Sequence, residues 1–244
     1  MKLLFYTILI LGLPFSAAAQ VTDSLAYHLN FSGTGNINKT NEGTAYIFNN
    51  ALKFNINNRL LTINTFNSWI YGQNTSRKTN NDFLSVVDID LYKNIHKWYF
   101  WTLAGYEKSF SLNIENRLQV GGGVGLNIIK NPKASLVLTD GLLYEKSRLS
   151  EVDIYQRDHY ETIRNSFRIK YRVTLHDLLT IDGTNFLQNS LSDKRDYIIR
   201  SVTNISLHLK KWLSLTMALN YNKLNLSGRE NLLFNYGLML DKNF

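Results

Sequence analysis

Apolar and polar residues alternate with a period of two through most of this chain, the pattern of strands whose two faces meet different surroundings. Near the carboxyl end Leu232, Phe234, Tyr236, Leu238, Leu240 and Phe244 share one face, while Asn235, Gly237, Asp241 and Asn243 share the other. Leu213, Leu215, Met217, Leu219 and Tyr221 stand in the same way against Ser214, Thr216, Ala218, Asn220 and Asn222. Leu118, Val120, Val124, Leu126 and Ile128 alternate with Arg117, Gln119, Gly121, Gly123, Gly125 and Asn127. Ile163, Phe167, Ile169 and Tyr171 alternate with Arg164, Ser166, Arg168, Lys170 and Arg172. Wound as helices, these segments would have no apolar face.

Read this way, the chain predicts an all-β fold, an antiparallel up-and-down transmembrane barrel of about twelve strands of roughly 9 to 13 residues each. The strands begin near Leu25, Tyr46, Leu60, Phe83, Trp98, Arg117, Ala134, Thr162, Leu178, Tyr197, Leu213 and Asn231. Tight turns are expected at 57–58, 94–96, 131–133, 174–177 and 210–211, and longer polar loops at 36–43, 72–82, 109–116, 146–161, 188–196 and 223–230. Short and long connections alternate, as they do when short turns face the periplasm and long loops face outward. Trp69, Tyr71, Trp98, Tyr99, Tyr144, Tyr197, Trp212 and Tyr221 fall at strand ends, where aromatic rings line membrane interfaces.

The amino end changes the picture by adding a destination. Lys2, the apolar run Leu3 to Leu13 and the small residues Ala17-Ala18-Ala19 read as a signal peptide over residues 1–19, cleaved after Ala19. The apolar run is about half the ~20 residues a spanning helix needs, and Pro14 interrupts it. Residues 20–244 then form the barrel domain, with both termini in the periplasm. Phe244 ends the last strand in outward register and reads as the signal presented to the barrel-insertion machinery.

The chain has no Cys, which excludes disulfides, thiolate metal sites and a lipid-anchor cysteine. Its net charge of +8 is scattered, without the compact basic motif of a nucleic-acid binder. Outer-membrane lipid and lipopolysaccharide are the expected partners, with Arg77, Lys78, Lys146, Arg148, Lys194 and Arg195 at the outer rim as phosphate contacts or as plain solvated loop residues. A monomer is expected, with no cofactor and no metal.

Several motifs carry a family likeness: Gly33 to Asn36, Trp98-Tyr99-Phe100-Trp101 leading to Gly105-Tyr106-Glu107-Lys108, Arg117 followed by Gly121 to Gly125, and Gly141 to Glu145. With these the chain resembles the outer-membrane proteins catalogued as domain of unknown function 481, labelled YdiY-like or salt-induced outer membrane protein. The resemblance implies an outer-membrane barrel and leaves its biochemical role open.

The inward face holds the candidate chemistry. Register places Arg164, Arg168 and Arg172 on one lumenal line and Arg117 and Arg200 on others, with Asp88, Asp90, Glu107, Glu145 and Asp182 facing the same space. Either the arginines attract anionic solutes in a water-filled channel, or they pair with the carboxylates and fill a narrow interior. Pairing is the reading to prefer, because about twelve strands fall short of the 16 to 18 that leave a wide channel. Gly121 to Gly125 lacks the Lys-Ser/Thr of a phosphate loop; it makes room for Tyr99 or Trp101. The five histidines come with no serine elbow and no ligand spacing, so neither catalysis nor metal binding is expected. The functions in play are a narrow passive pore favouring anions or a structural envelope protein, then a surface interaction protein acting through long loops, then a lipid hydrolase.

Overall fold

The computed structural model describes residues 26–41 and 43–243. The expected leader with Ala17 and Ala19, the expected strand start at Leu25 and Phe244 lie outside the described residues. Twelve strands are present among the described residues: β1 (Ala26–Thr40), β2 (Gly43–Asn57), β3 (Leu61–Asn74), β4 (Arg77–Leu91), β5 (Trp98–Ser109), β6 (Ile114–Lys130), β7 (Ala134–Leu149), β8 (His159–Leu175), β9 (Leu179–Ser190), β10 (Tyr197–Lys210), β11 (Leu213–Leu224) and β12 (Arg229–Asn243). Each pairs antiparallel with its successor, and β12 returns to β1, so the sheet closes into a barrel. At the seam the ladder runs from His28↔Asn243 to Gly35↔Tyr236.

Burial is inverted relative to a water-soluble protein. Large apolar side chains such as Phe31, Leu52, Phe100, Val124, Leu142, Ile205 and Leu238 are exposed around the outer wall, whereas Asp90, Glu145 and Arg164 inside it are 0 % exposed. A wall of this kind is stable where hydrocarbon is the solvent. A bulge between Asn127 and Ile129 in β6 explains why Ile128 and Ile129, neighbours in sequence, are both exposed. Polar residues interrupt the outer wall at mid-height, such as the bonded pair Asn67 and Ser85, and one of them is charged. Asp140 on β7 is exposed between Leu138 and Leu142, and Asn165 of β8 donates to its Oδ1 at 2.9 Å.

The twelve strands appear where the alternation put them, but the loop pattern does not. The strands are 12 to 17 residues long, most of them longer than expected, and where long loops were expected Thr40 pairs directly with Gly43 and the connection 75–76 is a tight turn. The turn-end connection 92–97, conversely, is longer than the expected 94–96. The reason is physical: above the apolar band both faces of a strand meet water, so the period of two disappears while the backbone ladder continues. Asn38↔Ala45 and Lys39↔Thr44 extend β1 and β2 beyond the outward Ile37, and Asn74↔Arg77 extends β3 and β4. Tyr99 is a second correction, because it is buried in the lumen whereas Trp69, Trp98, Tyr144 and Trp212 face outward as a girdle should.

Lumenal glycines give the buried aromatics their space. A Cβ on Gly125 would lie 2.2 Å from the Tyr99 ring, and one on Gly141 would lie 2.7 Å from the Trp101 indole. Tyr99 and Trp101 then pack with Leu103, Val137 and Leu143 into an apolar patch on the inner wall. The Trp101 indole N–H donates to the carbonyls of Val124 and Asp140 at 3.1 and 3.3 Å.

Candidate functional site: the lumen

Strands β4 to β10 aim charged residues inward, and closure of the barrel brings them into two groups. The upper group lies toward the loop end. Arg117 of β6 donates Nη1 to Glu107 at 3.2 Å, Nε to Ser147 at 3.0 Å and Nη2 to the Tyr160 hydroxyl at 3.3 Å. Arg164 of β8 bridges two carboxylates: Nε reaches Glu145 at 2.8 Å and Nη1 reaches Asp196 at 2.7 Å. Arg200 of β10 donates to Glu107, and Gln119 donates to Glu145 at 2.6 Å and to Gln188 at 3.1 Å. Three guanidinium groups (Arg117, Arg164, Arg200) therefore face three carboxylates (Glu107, Glu145, Asp196), and the group is neutral.

The lower group lies toward the end where β1 begins and β12 finishes, the terminal end of the barrel. Asp88 accepts from Arg168 at 3.2 Å and from Lys170 at 2.8 Å, bonds that cross the lumen from β8 to β4. Lys93, in the turn after β4, donates to Asp90. The Arg168 guanidinium lies 5.2 Å from the Trp101 ring and 5.7 Å from the Phe186 ring, so aromatic faces hold it as well as Asp88 does. Charged groups so desolvated persist only when paired and hydrogen-bonded.

Of the residues the sequence put on the inner face, Arg117, Arg164, Arg168, Arg200, Asp88, Asp90, Glu107 and Glu145 all enter these groups. Asp182 stands apart and accepts from Asn204 at 3.0 Å. Arg172 stands apart too and is exposed at the terminal mouth. Sequence reasoning missed Lys93, Lys170 and Asp196 as members. Lys170 shares the face of Arg168 and was legible from the alternation, but Asp196 enters from a connection, where side-chain direction has no periodic signal.

The rest of the inner wall differs in kind. On β11, β12, β1, β2 and β3 it presents Asn220, Asn235, Asn30, Asn36, Asn49 and Asn64, an amide surface whose inward charges are Lys53, Arg229 at the loop end, where it donates to Glu151 at 2.6 Å, and, at the terminal end, His28 and Asp241. His28 and Asp241 meet at 2.7 Å across the seam. Over the charged half, the loop-end mouth is capped by an apolar cluster of Leu112, Ile114, Ile198 and Leu224. The longest connection, 150–158, is tied onto this cap by Ser150 N–H to the Asn113 carbonyl at 2.9 Å and Ile154 N–H to the Leu226 carbonyl at 3.2 Å. Burial pushes the Asp153 carboxyl of this connection up, but bonds from the Arg157 side chain and backbone N–H more than reverse it, leaving it below the usual carboxylate range.

A comparison with solved structures returns outer-membrane barrels. The NanC porin is 10 % identical with a TM-score of 0.53, the match covering 89 % of this chain and 99 % of that one. The translocator domain of the autotransporter NalP from Neisseria meningitidis is 11 % identical with a TM-score of 0.49, covering 91 % of this chain and 90 % of that one. No curated protein matches this chain. At such identities the likeness is one of fold, and it agrees with the inverted wall in placing the barrel in the bacterial outer membrane. Residues 19–230 match the family described as "Protein of unknown function, DUF481", and the chain belongs to that family.

Proposed function

We propose that this barrel is a narrow passive pore whose aqueous path follows the asparagine-lined wall of β11, β12, β1, β2 and β3. One observation carries the reading: most lumenal charge is collected on the opposite half of the wall, neutralised within the upper group and roofed by the apolar cap, while among the described residues no buried apolar cluster covers the amide wall. Small polar solutes gain hydrogen bonds along such a wall without the desolvation penalty an ion would incur. The anion preference expected from an arginine ladder loses its basis, because Arg164 and Arg168 are buried against carboxylates and Arg172 stands alone at one mouth. The loop-mediated alternative is weakened by the direct pairing of Thr40 with Gly43 and by the tight turn at 75–76. As for hydrolysis, His208 does meet Ser214 at 2.8 Å, but its second ring nitrogen is taken by Thr180 at 2.9 Å, where a triad needs a carboxylate.

The test is conductance of refolded protein in a planar bilayer. A small steady current with a reversal potential near zero under a salt gradient is the expected result. Absence of any current across many insertions would rule the pore out, and a strong anion preference would reinstate the arginine ladder.

A further inference from the structure

Where the barrel closes, the ladder stops early. Pairing of β1 with β12 ends at Gly35↔Tyr236, although β1 continues to Thr40 and β12 begins at Arg229, and each stays fully paired on its other side. Above Tyr236 the two strands have parted. A groove of about 430 Å³ lies at this fork. Its lining is unusual in drawing on both surfaces of the wall: Thr34 and Asn36 belong to the inner register, whereas Ile37, Phe48, Asn50 and Tyr236 belong to the outer one. Gly33 and Gly35 face outward between them, and their missing side chains are what leaves the groove clear.

The inner side of the fork is lined with unfulfilled amides. Asn235 lies at its apex, fully buried, with neither Oδ1 nor Nδ2 bonded, and the nearby Asn49 leaves Oδ1 unpaired. A buried amide left in this state costs about 1–3 kcal/mol, so a fold that keeps such groups together is one in which something polar meets them. The outer side of the fork offers Ile37, Phe48 and Tyr236, an apolar approach from the membrane.

From this arrangement we propose that the β1–β12 fork is a lateral portal between lumen and membrane, taking an amphiphile with an uncharged, hydroxyl- or amide-bearing head and an acyl chain. The head is received by Asn36, Asn49 and Asn235, and the chain leaves through the groove over Gly33 and Gly35. Neutral amides supply both donors and acceptors, which suits hydroxyls and gives a carboxylate or phosphate no counter-charge. The inference goes beyond the axial pore and does not require it.

The experiment exploits the absence of native cysteines. Asn38→Cys with Leu233→Cys places two thiols where the ladder would continue, so that oxidation staples the fork. The protein is reconstituted in phospholipid nanodiscs with an alkyl maltoside carrying a diazirine on its sugar head, irradiated and mapped by peptide mass spectrometry. Labelling at Thr34, Asn36 and Asn49 is expected in the reduced protein, and a loss of at least tenfold on oxidation. Gly33→Phe fills the groove, with only Asn50 Oδ1 near its Cβ at 3.8 Å, and should abolish the same labels while heat-modifiable migration shows the barrel intact. Labels confined to outward residues in the reduced protein, or inner labels indifferent to both the staple and Gly33→Phe, would overturn the portal. So would equal labelling by a fatty acid carrying its diazirine beside the carboxylate, as regards the neutral head. Ion conductance of the stapled protein reports on the axial pore separately, and its loss or survival leaves the labelling result to decide the portal.

Discussion

Replacing Arg164 with leucine tests how dry the lumenal network is. The guanidinium is fully buried and makes bonds of 2.8 and 3.1 Å to Glu145 and of 2.7 and 3.0 Å to Asp196. Leucine replaces part of the volume, yet it strands Asp196 and leaves Glu145 with a single cation, Arg117, at 3.4 Å. Breaking a buried ion pair from one side costs about 3–5 kcal/mol, because the surviving charge stays desolvated. Glu145 keeps its bonds from Gln119 at 2.6 Å and Tyr160 at 2.8 Å, so the lower end of that range applies. With a urea slope of about 1–3 kcal/mol/M, a loss of ~3 kcal/mol lowers the unfolding midpoint by roughly 1–3 M. Equilibrium unfolding in detergent micelles, followed by heat-modifiable migration, is the assay. Arg164→Lys keeps the charge but cannot bridge both carboxylates, and should fall between wild type and leucine. A loss below about 1 kcal/mol, the value of a solvent-exposed pair, would refute the reasoning, since Glu145 and Asp196 would then be facing bulk water. Where the leucine variant still inserts, the upper group carries a net charge of −1, from two guanidinium groups against three carboxylates, and the bilayer reversal potential should shift toward cation selectivity.

Two further outcomes follow from the wall. Gly125→Ala forces a methyl to 2.2 Å from the Tyr99 ring, which the Trp101 patch keeps from moving away, so stability should fall by about 1–3 kcal/mol in the same assay, and an unchanged midpoint would mean the patch is loose. Asp140→Leu removes a carboxylate exposed to hydrocarbon at mid-height, where charges on the lipid face are destabilising by up to about 2–4 kcal/mol and acidic ones by less. The leucine variant should therefore be more stable than wild type by ~1 kcal/mol, and a loss of stability would show that the Asn165 bond outweighs the exposure of the charge.

The strand count was legible because one strong constraint acts on every strand: hydrocarbon outside and polar groups inside impose a period of two from β1 to β12. The same logic explains where legibility failed. Residues 36–43 and 72–82 look like loops because a strand meets water on both faces soon after outward Ile37 and Tyr71, where it rises above the membrane, and no periodicity marks the continuing ladder. The facing of Arg164 and Arg168 followed from register, but their partners did not. Asp88 lies on β4 and Arg168 on β8, and only the curvature of the closed barrel brings them to 3.2 Å. Asp196 was invisible as a partner because it leaves a connection, not a strand. Asp140 could have been found, since it is the single charge in the outward row Leu136, Leu138, Asp140, Leu142, Tyr144.

The seam also dictates an order of events in folding. Every other neighbour in the sheet is joined by a connection of at most nine residues, but the seam pairs residues as distant as His28 and Asn243. Closing so long a loop is entropically the slowest of the pairings, so the barrel is for a time an open sheet with β1 and β12 as bare edges, each a template for a strange strand. The bond between His28 and Asp241 lies at the terminal end of those edges, opposite the fork. Closure then proceeds as a zipper from that clasp upward, and it halts at Gly35 and Tyr236; by microscopic reversibility, the same end is where the native barrel first comes apart.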